Sequence, residues 1–358
     1  MFFEINDEKR IGYKCLTDAD LGKSVLSHQT HIGLFDDVLT FLPNDTSVDD
    51  ALLIYENKCM TLEVSFGRIL RANGDYNSPN IKTGGRDVVS IVSNIREIAR
   101  EKPKLDWYLF WFGLKSSQPV FFLFNNTSEA FRDITDMGIT LSEKVKSRLT
   151  VSDDGFSTIM QYLENIVNTS GENIIRELEI VSQTGVVRDG IKLRSYDIKK
   201  ARDNFELIGK SGEDLVNKFL KIMQLSGQII SYTWFNESSE SGLPYDFSIQ
   251  ELSGNIIYLD VKSTTLGSEQ PIIFSNQELN FISTIENQYH VYRVYDIEQE
   301  EKHLRICKNY KNYASELNTK INKFVKDIQT INANIQAAKI IVPTDNTNFL
   351  FGNEILLP

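Results

Sequence analysis

The stretch LPYDFSIQELSGNIIYLDVKSTT, residues 243–265, reads as two short strands joined by a tight turn at Gly254, yet Asp246, Asp260 and Lys262 stand inside its apolar runs. Buried strands seldom hold charges unless those charges are paired or bind a metal. Side chains at i and i+2 of a strand share a face, so Asp260 and Lys262 point one way and Leu259 and Val261 the other. A hairpin centred on Ser253 sets Asp246 opposite Asp260, where Cβ atoms stand about 4.5–5.5 Å apart. A slip of one residue would send Asp246 to the other face.

Two carboxylates at that separation can share a divalent cation. Hard oxygen ligands supplemented by water and a phosphate oxygen suit Mg²⁺, which takes octahedral geometry at about 2.0–2.1 Å. A lysine beside them can orient an attacking water and offset charge on a phosphorus centre. The bland alternative is a half-exposed Asp260–Lys262 ion pair on an edge strand.

Upstream, SGEDLVNKFLKIMQLSG reads as a helix opening at Ser211, with Asp214 three residues on as in a capping box and Gly227 as its stop. Leu215, Phe219, Leu220, Ile222 and Met223 form its apolar stripe. Glu213 then falls in the first turn, either as a third carboxylate or as a favourable charge on the helix dipole, worth about 0.3–1 kcal/mol. Strands are expected at 228–234, 245–250, 256–263 and 289–295, and a long helix over 314–339 with Leu317, Ile321, Phe324, Ile328 and Ile331 on one side. Ser275, Gln277 and Glu278 read as a helix start, and they have a second reading, as polar groups near substrate, only through the family resemblance given below. Glu240 and Ser241, ahead of Pro244-Tyr245-Asp246, read as a turn or as residues that orient the site.

The amino-terminal part is a second α/β region with its own core. Residues 51–66 predict two strands about a turn at Asn57 and Lys58, Val88, Val92, Ile95 and Ile98 mark a helix, and DWYLFWFGL and PVFFLF are two buried strands. Trp107, Phe110, Trp111 and Phe112 belong to that core. Ile159, Tyr162, Leu163 and Ile166 mark another helix. A polar stretch near 185–210 suggests a linker, giving domains 1–195 and 196–358.

The 358 residues, 41% hydrophobic and 24% charged, are those of a globular protein, with no apolar run of the roughly 18 residues a membrane span needs. Three separated cysteines, Cys15, Cys59 and Cys307, exclude a disulfide framework and a CxxC metal site, and together with an amino terminus unlike a signal peptide they predict a cytoplasmic protein. A net charge of −11 argues only weakly against nucleic acid, since binding depends on local surface. Neither a nucleophile-elbow serine nor a phosphate-cradling glycine loop with lysine is present.

Candidate nucleic-acid contacts lie in the first domain. ADLGKSVLSHQTHIGLF, residues 19–35, gathers Lys23, Ser27, His28, Gln29 and His31 between glycines. Gln and Ser can read base edges, and Lys and His can meet phosphates. The two histidines lack a third ligand for metal. Arg68, Arg71, Lys82 and Arg86 surround a flexible loop and offer a second basic edge. Ordinary solvated loops would look similar.

The order Glu213, Tyr245-Asp246, Asp260-Val261-Lys262 resembles the active-site order of the PD-(D/E)XK nuclease superfamily, with Tyr in place of Pro. More narrowly, SGEDLVNKFL, ESGLPYDFSI, YLDVKSTT, FSNQELNF and YHVYRVYDI resemble the carboxy-terminal domain named after the plant NO VEIN protein, over about residues 205–297. That domain usually carries Glu where Asp260 stands, an exchange the superfamily motif permits. The resemblance implies a mixed α/β fold: an amino-terminal recognition domain and a nuclease core whose central mixed sheet is flanked by helices. It implies a type II restriction endonuclease that hydrolyses double-stranded DNA with Mg²⁺ held by Asp246 and Asp260, assisted by Lys262 and Glu213. A homodimer and a cognate DNA methyltransferase follow as expected partners. The alternatives are a non-cleaving DNA- or protein-binding defence module and a nuclease for modified or branched DNA.

Overall fold

The computed structural model describes residues 2–23, 29–35, 37–84, 89–141, 146–185, 195–238, 241–335, 339–344 and 350–358. The chain is mixed α/β and divides into two compact units, Met1–Leu178 with Val187–Ile198, and Glu179–Val186 with Lys199–Pro358. No helix among the described residues is long and apolar enough to cross a membrane.

The first unit is built on strands β1 (Arg10–Cys15), β2 (His31–Gly33), β3 (Asp45–Tyr55), β4 (Lys58–Gly67) and β5 (Asn80–Lys82), helix α1 (Ile91–Glu101), strands β6 (Trp107–Gly113) and β7 (Pro119–Asn125), helix α2 (Glu129–Asp136), strand β8 (Ser147–Thr150) and helices α3 (Phe156–Ser170) and α4 (Glu172–Thr184). Its eight strands run in the order β2-β5-β4-β3-β7-β6-β1-β8. Every residue of β6 and β7 is buried, as their unbroken apolar sequences predict for strands covered on both faces. Trp107 and Trp111 pack into one core with Leu53, Phe66, Ile95 and Phe121. The helix expected around Val92 and Ile95 starts at the cap Ser90, whose side chain accepts from Ser93 N–H; Val88 lies outside the described residues.

The second unit contains the end of α4, most of helix α5 (Ser195–Leu225), strands β9 (Ile229–Trp234), β10 (Phe247–Glu251), β11 (Ile256–Ser263) and β12 (Ile272–Ser275), helix α6 (Asn276–Thr284), strands β13 (Gln288–Tyr295) and β14 (His303–Cys307), helix α7 (Lys311–Gln329) and strands β15 (Lys339–Val342) and β16 (Ile355–Leu356). The main sheet has the order β16-β14-β13-β11-β10-β9. The β10–β11 hairpin is antiparallel and β13 runs parallel to β11, reached through β12 and α6. Parallel neighbours need such a crossover, and it places α6 beside β11.

Two expectations are corrected. Ser211 is not a cap: α5 is one helix of 31 residues that begins at Ser195 and takes in residues 195–210 of the stretch expected to be a linker. Ala201, Phe205 and Ile208 are buried there at helical spacing and continue the stripe of Leu215, Val216 and Leu220. Gly212 is present for close approach, since a Cβ at that position would lie 1.8 Å from Ser263 Oγ at the end of β11. The carboxy-terminal helix is also shorter than expected. Only Ala314 is buried along α7, Phe324 is 58% exposed, and Ile331 lies past its end at 74% exposure.

Candidate active site

The hairpin register pairs Phe247 with Leu259, so one step further sets Asp246 against Asp260. Asp246 lies just before β10, where its backbone N–H still bonds Leu259 O at 2.9 Å. Its side chain then replaces the next main-chain partner: Oδ2 accepts from Val261 N–H at 2.7 Å, while Oδ1 accepts from Asn236 Nδ2 at 2.8 Å. Tyr245, standing where the motif carries proline, packs its ring 4.5 Å from Tyr258 and 5.1 Å from Phe281.

Lys262 shares Asp260's face of β11. Its Nζ lies 2.8 Å from Asp260 Oδ2 and 2.7 Å from Glu278 Oε1. The Asp260 contact is a charge pair without the alignment of a hydrogen bond, whereas Glu278 accepts a well-formed one. Asp260 is 4% exposed and the Lys262 side chain 18%. The edge-strand reading therefore fails: β11 is interior to the sheet, and the pair is largely withdrawn from water.

Glu278 was not among the expected catalytic residues, although the sequence marks it as part of a helix start. It is the third residue of α6, where its side chain accepts from the backbone of the cap Ser275 and Ser275 accepts from Glu278 N–H. Of the two readings of Ser275, Gln277 and Glu278 the helix start is observed, and Glu278 also grips Lys262. Gln277 donates to Gly242 O at 3.2 Å. Ser241 forms the expected turn, its Oγ accepting from Leu243 N–H; Glu240 lies outside the described residues.

Glu213 sits well inside α5 rather than in its first turn, so a helix-dipole role is removed. Its Oε2 accepts from Trp234 Nε1–H at 2.8 Å. Glu213, Asp246, Asp260, Lys262 and Glu278 all line one cavity of about 310 Å³, with Glu179 and Arg293 also on its wall. Arg293, paired with Lys262 across β11 and β13, donates to Lys262 O at 3.3 Å and Gln270 O at 3.1 Å, and so fixes the backbone that carries the lysine.

Acid exceeds base in this cavity, and the ionisations record it. Burial, reinforced by the Glu213 charge, pushes Asp246 up to about 6. Burial holds Asp260 well above the ordinary carboxylate range, with Lys262 opposing it and Glu278 and Asp246 adding to it. For Glu278 burial is outweighed by Lys262, and its carboxyl stays below its usual range. Burial alone would lower Lys262, but Asp260 and Glu278 outweigh it and keep the ammonium charged above its ordinary range. Such a lysine is a donor and a charge, not a base.

The donor set fits a hard divalent cation. Asp246 and Asp260 would be its oxygen ligands, and burial already raises the proton affinity of both. Among the described residues, no group of three or more His, Cys, Asp or Glu stands ready-made to hold a metal, so water and substrate oxygens would complete the shell.

The expected nucleic-acid contacts are scattered more widely. His31 and Lys82 are paired residues on β2 and β5, and Arg68 follows β4 at the same edge of the eight-stranded sheet. Arg71 lies in the loop beyond and bonds Asn77 Oδ1. Lys23 donates to Pro103 O, and the Gln29 amide is engaged within the fold by Asp20 Oδ1 and His31 O. Ser27, His28 and Arg86 lie outside the described residues.

The second unit is thus an α/β domain whose central sheet presents a carboxylate–ammonium cluster to a polar cavity. Residues 213–307 match the family model described as Protein NO VEIN, C-terminal. A stretch of 73 residues, 20% of this chain, is 34% identical to Protein NO VEIN-LIKE of Arabidopsis thaliana, of which the match covers 11%. No solved structure matches the chain.

Proposed function

We propose that the chain is a Mg²⁺-dependent nuclease of the PD-(D/E)XK type that cuts double-stranded DNA, in the manner of a type II restriction endonuclease. The observation that carries this reading is the opposition of Asp246 and Asp260 across the β10–β11 hairpin, with the Lys262 ammonium on the same face. When bound, the cation supplies charge against the phosphate and makes its water more acidic. Asp246 and Asp260 hold it. Lys262 keeps its proton and donates toward the attacked phosphate, stabilising the charge that builds as water adds and the P–O bond breaks. The water loses one proton and the leaving oxygen gains one. Glu278 and Arg293 keep Lys262 in place, and Glu213 supports the acidic side.

In this reading the first unit recognises the target, with His31, Lys82 and Arg68 at one sheet edge as phosphate contacts. A homodimer supplies a site for each strand, and a cognate DNA methyltransferase protects the host sequence. The test is incubation of the protein with phage-sized duplex DNA in Mg²⁺ or in EDTA. Discrete fragments with Mg²⁺ alone support restriction, random degradation supports a nuclease without target choice, and a shifted but uncut duplex under both conditions refutes cleavage.

The non-cleaving module has one observation in its favour: Lys262 is already neutralised by Asp260 and Glu278. Cation binding at Asp246 and Asp260 would relieve that pairing, so a site that fails to bind Mg²⁺ at millimolar concentration supports the module.

A further inference from the structure

A side chain outside the carboxylate–ammonium contacts is tied to the cluster in three ways. Trp234 ends β9, and its Nε1–H donates to Glu213 Oε2 at 2.8 Å. Its ring stacks on Phe247, the neighbour of Asp246, with centroids 5.5 Å apart and planes at 13°. Lys210, three residues before Glu213 on α5, holds its Nζ 4.1 Å from the centroid of the same ring. That ammonium also donates to Asn236 O at 2.9 Å and Glu237 O at 3.1 Å, and Asn236 passes its own Nδ2–H to Asp246 Oδ1 at 2.8 Å. Lys210, Trp234 and Asn236 thus brace both Glu213 and Asp246.

We propose that Trp234 is a positioning residue of this site, its indole N–H holding Glu213 toward the cation that Asp246 and Asp260 bind. The inference rests on the metal-dependent reading above. An indole is a donor only, with no proton to lose in the working range, so it orients a carboxylate without neutralising it. The Lys210 ammonium on the ring face draws electron density from the indole and strengthens the N–H as a donor. The Glu213 carboxylate is thereby held in one orientation, the role that outer partners play for carboxylates at a metal site.

The test is a titration of the metal-free protein with Mn²⁺, followed by calorimetry and by the electron paramagnetic resonance of the free ion. Trp234→Phe keeps the stack on Phe247 and the ring beneath Lys210 but deletes the N–H. It is expected to weaken Mn²⁺ binding about tenfold. In a Glu213→Gln background the same change is expected to cost less than about twofold, because the two substitutions act through one contact. Wild-type affinity in Trp234→Phe overturns the role, and so does a tenfold loss that persists in the Glu213→Gln background, which would mark packing as the cause. The comparison between backgrounds decides even where Trp234→Phe melts early. Loss of binding in Asp246→Asn/Asp260→Asn alongside unaltered binding in Trp234→Phe overturns the Trp234 role alone; unaltered binding in that double variant overturns the site itself.

Discussion

The Asp246 carboxylate occupies a rung of the β10–β11 ladder, accepting the Val261 N–H at 2.7 Å where a main-chain carbonyl would otherwise serve. Removing the acceptor and removing the charge are therefore separable. Asp246→Asn keeps an oxygen for Val261 and is expected to stay within about 1 kcal/mol of wild type. Asp246→Ala strands the buried N–H and is expected to cost about 1–3 kcal/mol in urea unfolding. Both variants are expected to lose the proposed cleavage, so equal stability in the two would remove the ladder role and retained cutting in either would remove the catalytic one.

Lys262 answers two carboxylates, at 2.8 and 2.7 Å. Lys262→Met and Asp260→Ala are each expected to reduce cleavage by at least about a thousandfold, the scale on which loss of a preorganised charge lowers turnover. Gel-shift affinity for the uncut duplex is expected to change little. Cutting by both variants at the wild-type rate would remove the assignment.

The cluster should give a pH signature before any metal is added. Asp246, held up to about 6 in the fold against its ordinary 3.8, binds its proton more tightly folded than unfolded. Its contribution to stability is thus present in full below about pH 4 and is lost as pH rises through 6. The metal-free melting midpoint of wild type relative to Asp246→Asn is expected to fall over that window. Added Mg²⁺ should raise the midpoint more at pH 7 than at pH 5, because the proton no longer competes. A flat difference between the two proteins from pH 4 to 7 would show that Asp246 is not raised.

Gly212 sets how closely α5 approaches the end of β11. A Cβ there would stand 1.8 Å from Ser263 Oγ and 2.8 Å from Ser263 Cβ, too close for a rotamer change alone to relieve. Gly212→Ala gains about 0.8–1 kcal/mol of helix propensity, yet the overlap is expected to dominate at about 1–3 kcal/mol. Combination with Ser263→Gly should recover part of that loss in chemical denaturation. A Gly212→Ala variant more stable than wild type would place the helix further from the strand than described here.

The local alternation of LPYDFSIQ and NIIYLDVK was enough to anticipate the hairpin, its register and the meeting of Asp246, Asp260 and Lys262, because strand geometry leaves few choices once a turn is located. The start of α5 was not legible in the same way. Ser211-Gly212 looks like a boundary when propensity is weighed alone, and the burial of Gly212 against Ser263 is a tertiary fact. Glu278 was readable as a helix cap, but its second contact crosses 16 residues to Lys262 and needs the β12–α6 crossover to be known. Trp234 and Arg293 carry no local mark at all, since an aromatic and an arginine in strands have many ordinary uses. The side chains of Lys23 and Gln29 show the converse, since their bonds to Pro103 O and to Asp20 Oδ1 and His31 O belong to the fold and leave no mark in the local run of polar residues.

Glu278 begins α6 and also clasps Lys262, accepting the Ser275 N–H with one oxygen and the ammonium with the other. The winding of that first turn and the restraint of the lysine are consequently one event. When α6 frays, Lys262 loses Glu278 and keeps Asp260 alone, and when Lys262 turns to an incoming anion, the cap must bear its charge unassisted. Amide exchange at Ser275 and Glu278 would then act as a clock for the state of the lysine, quickening when it leaves and slowing when it returns.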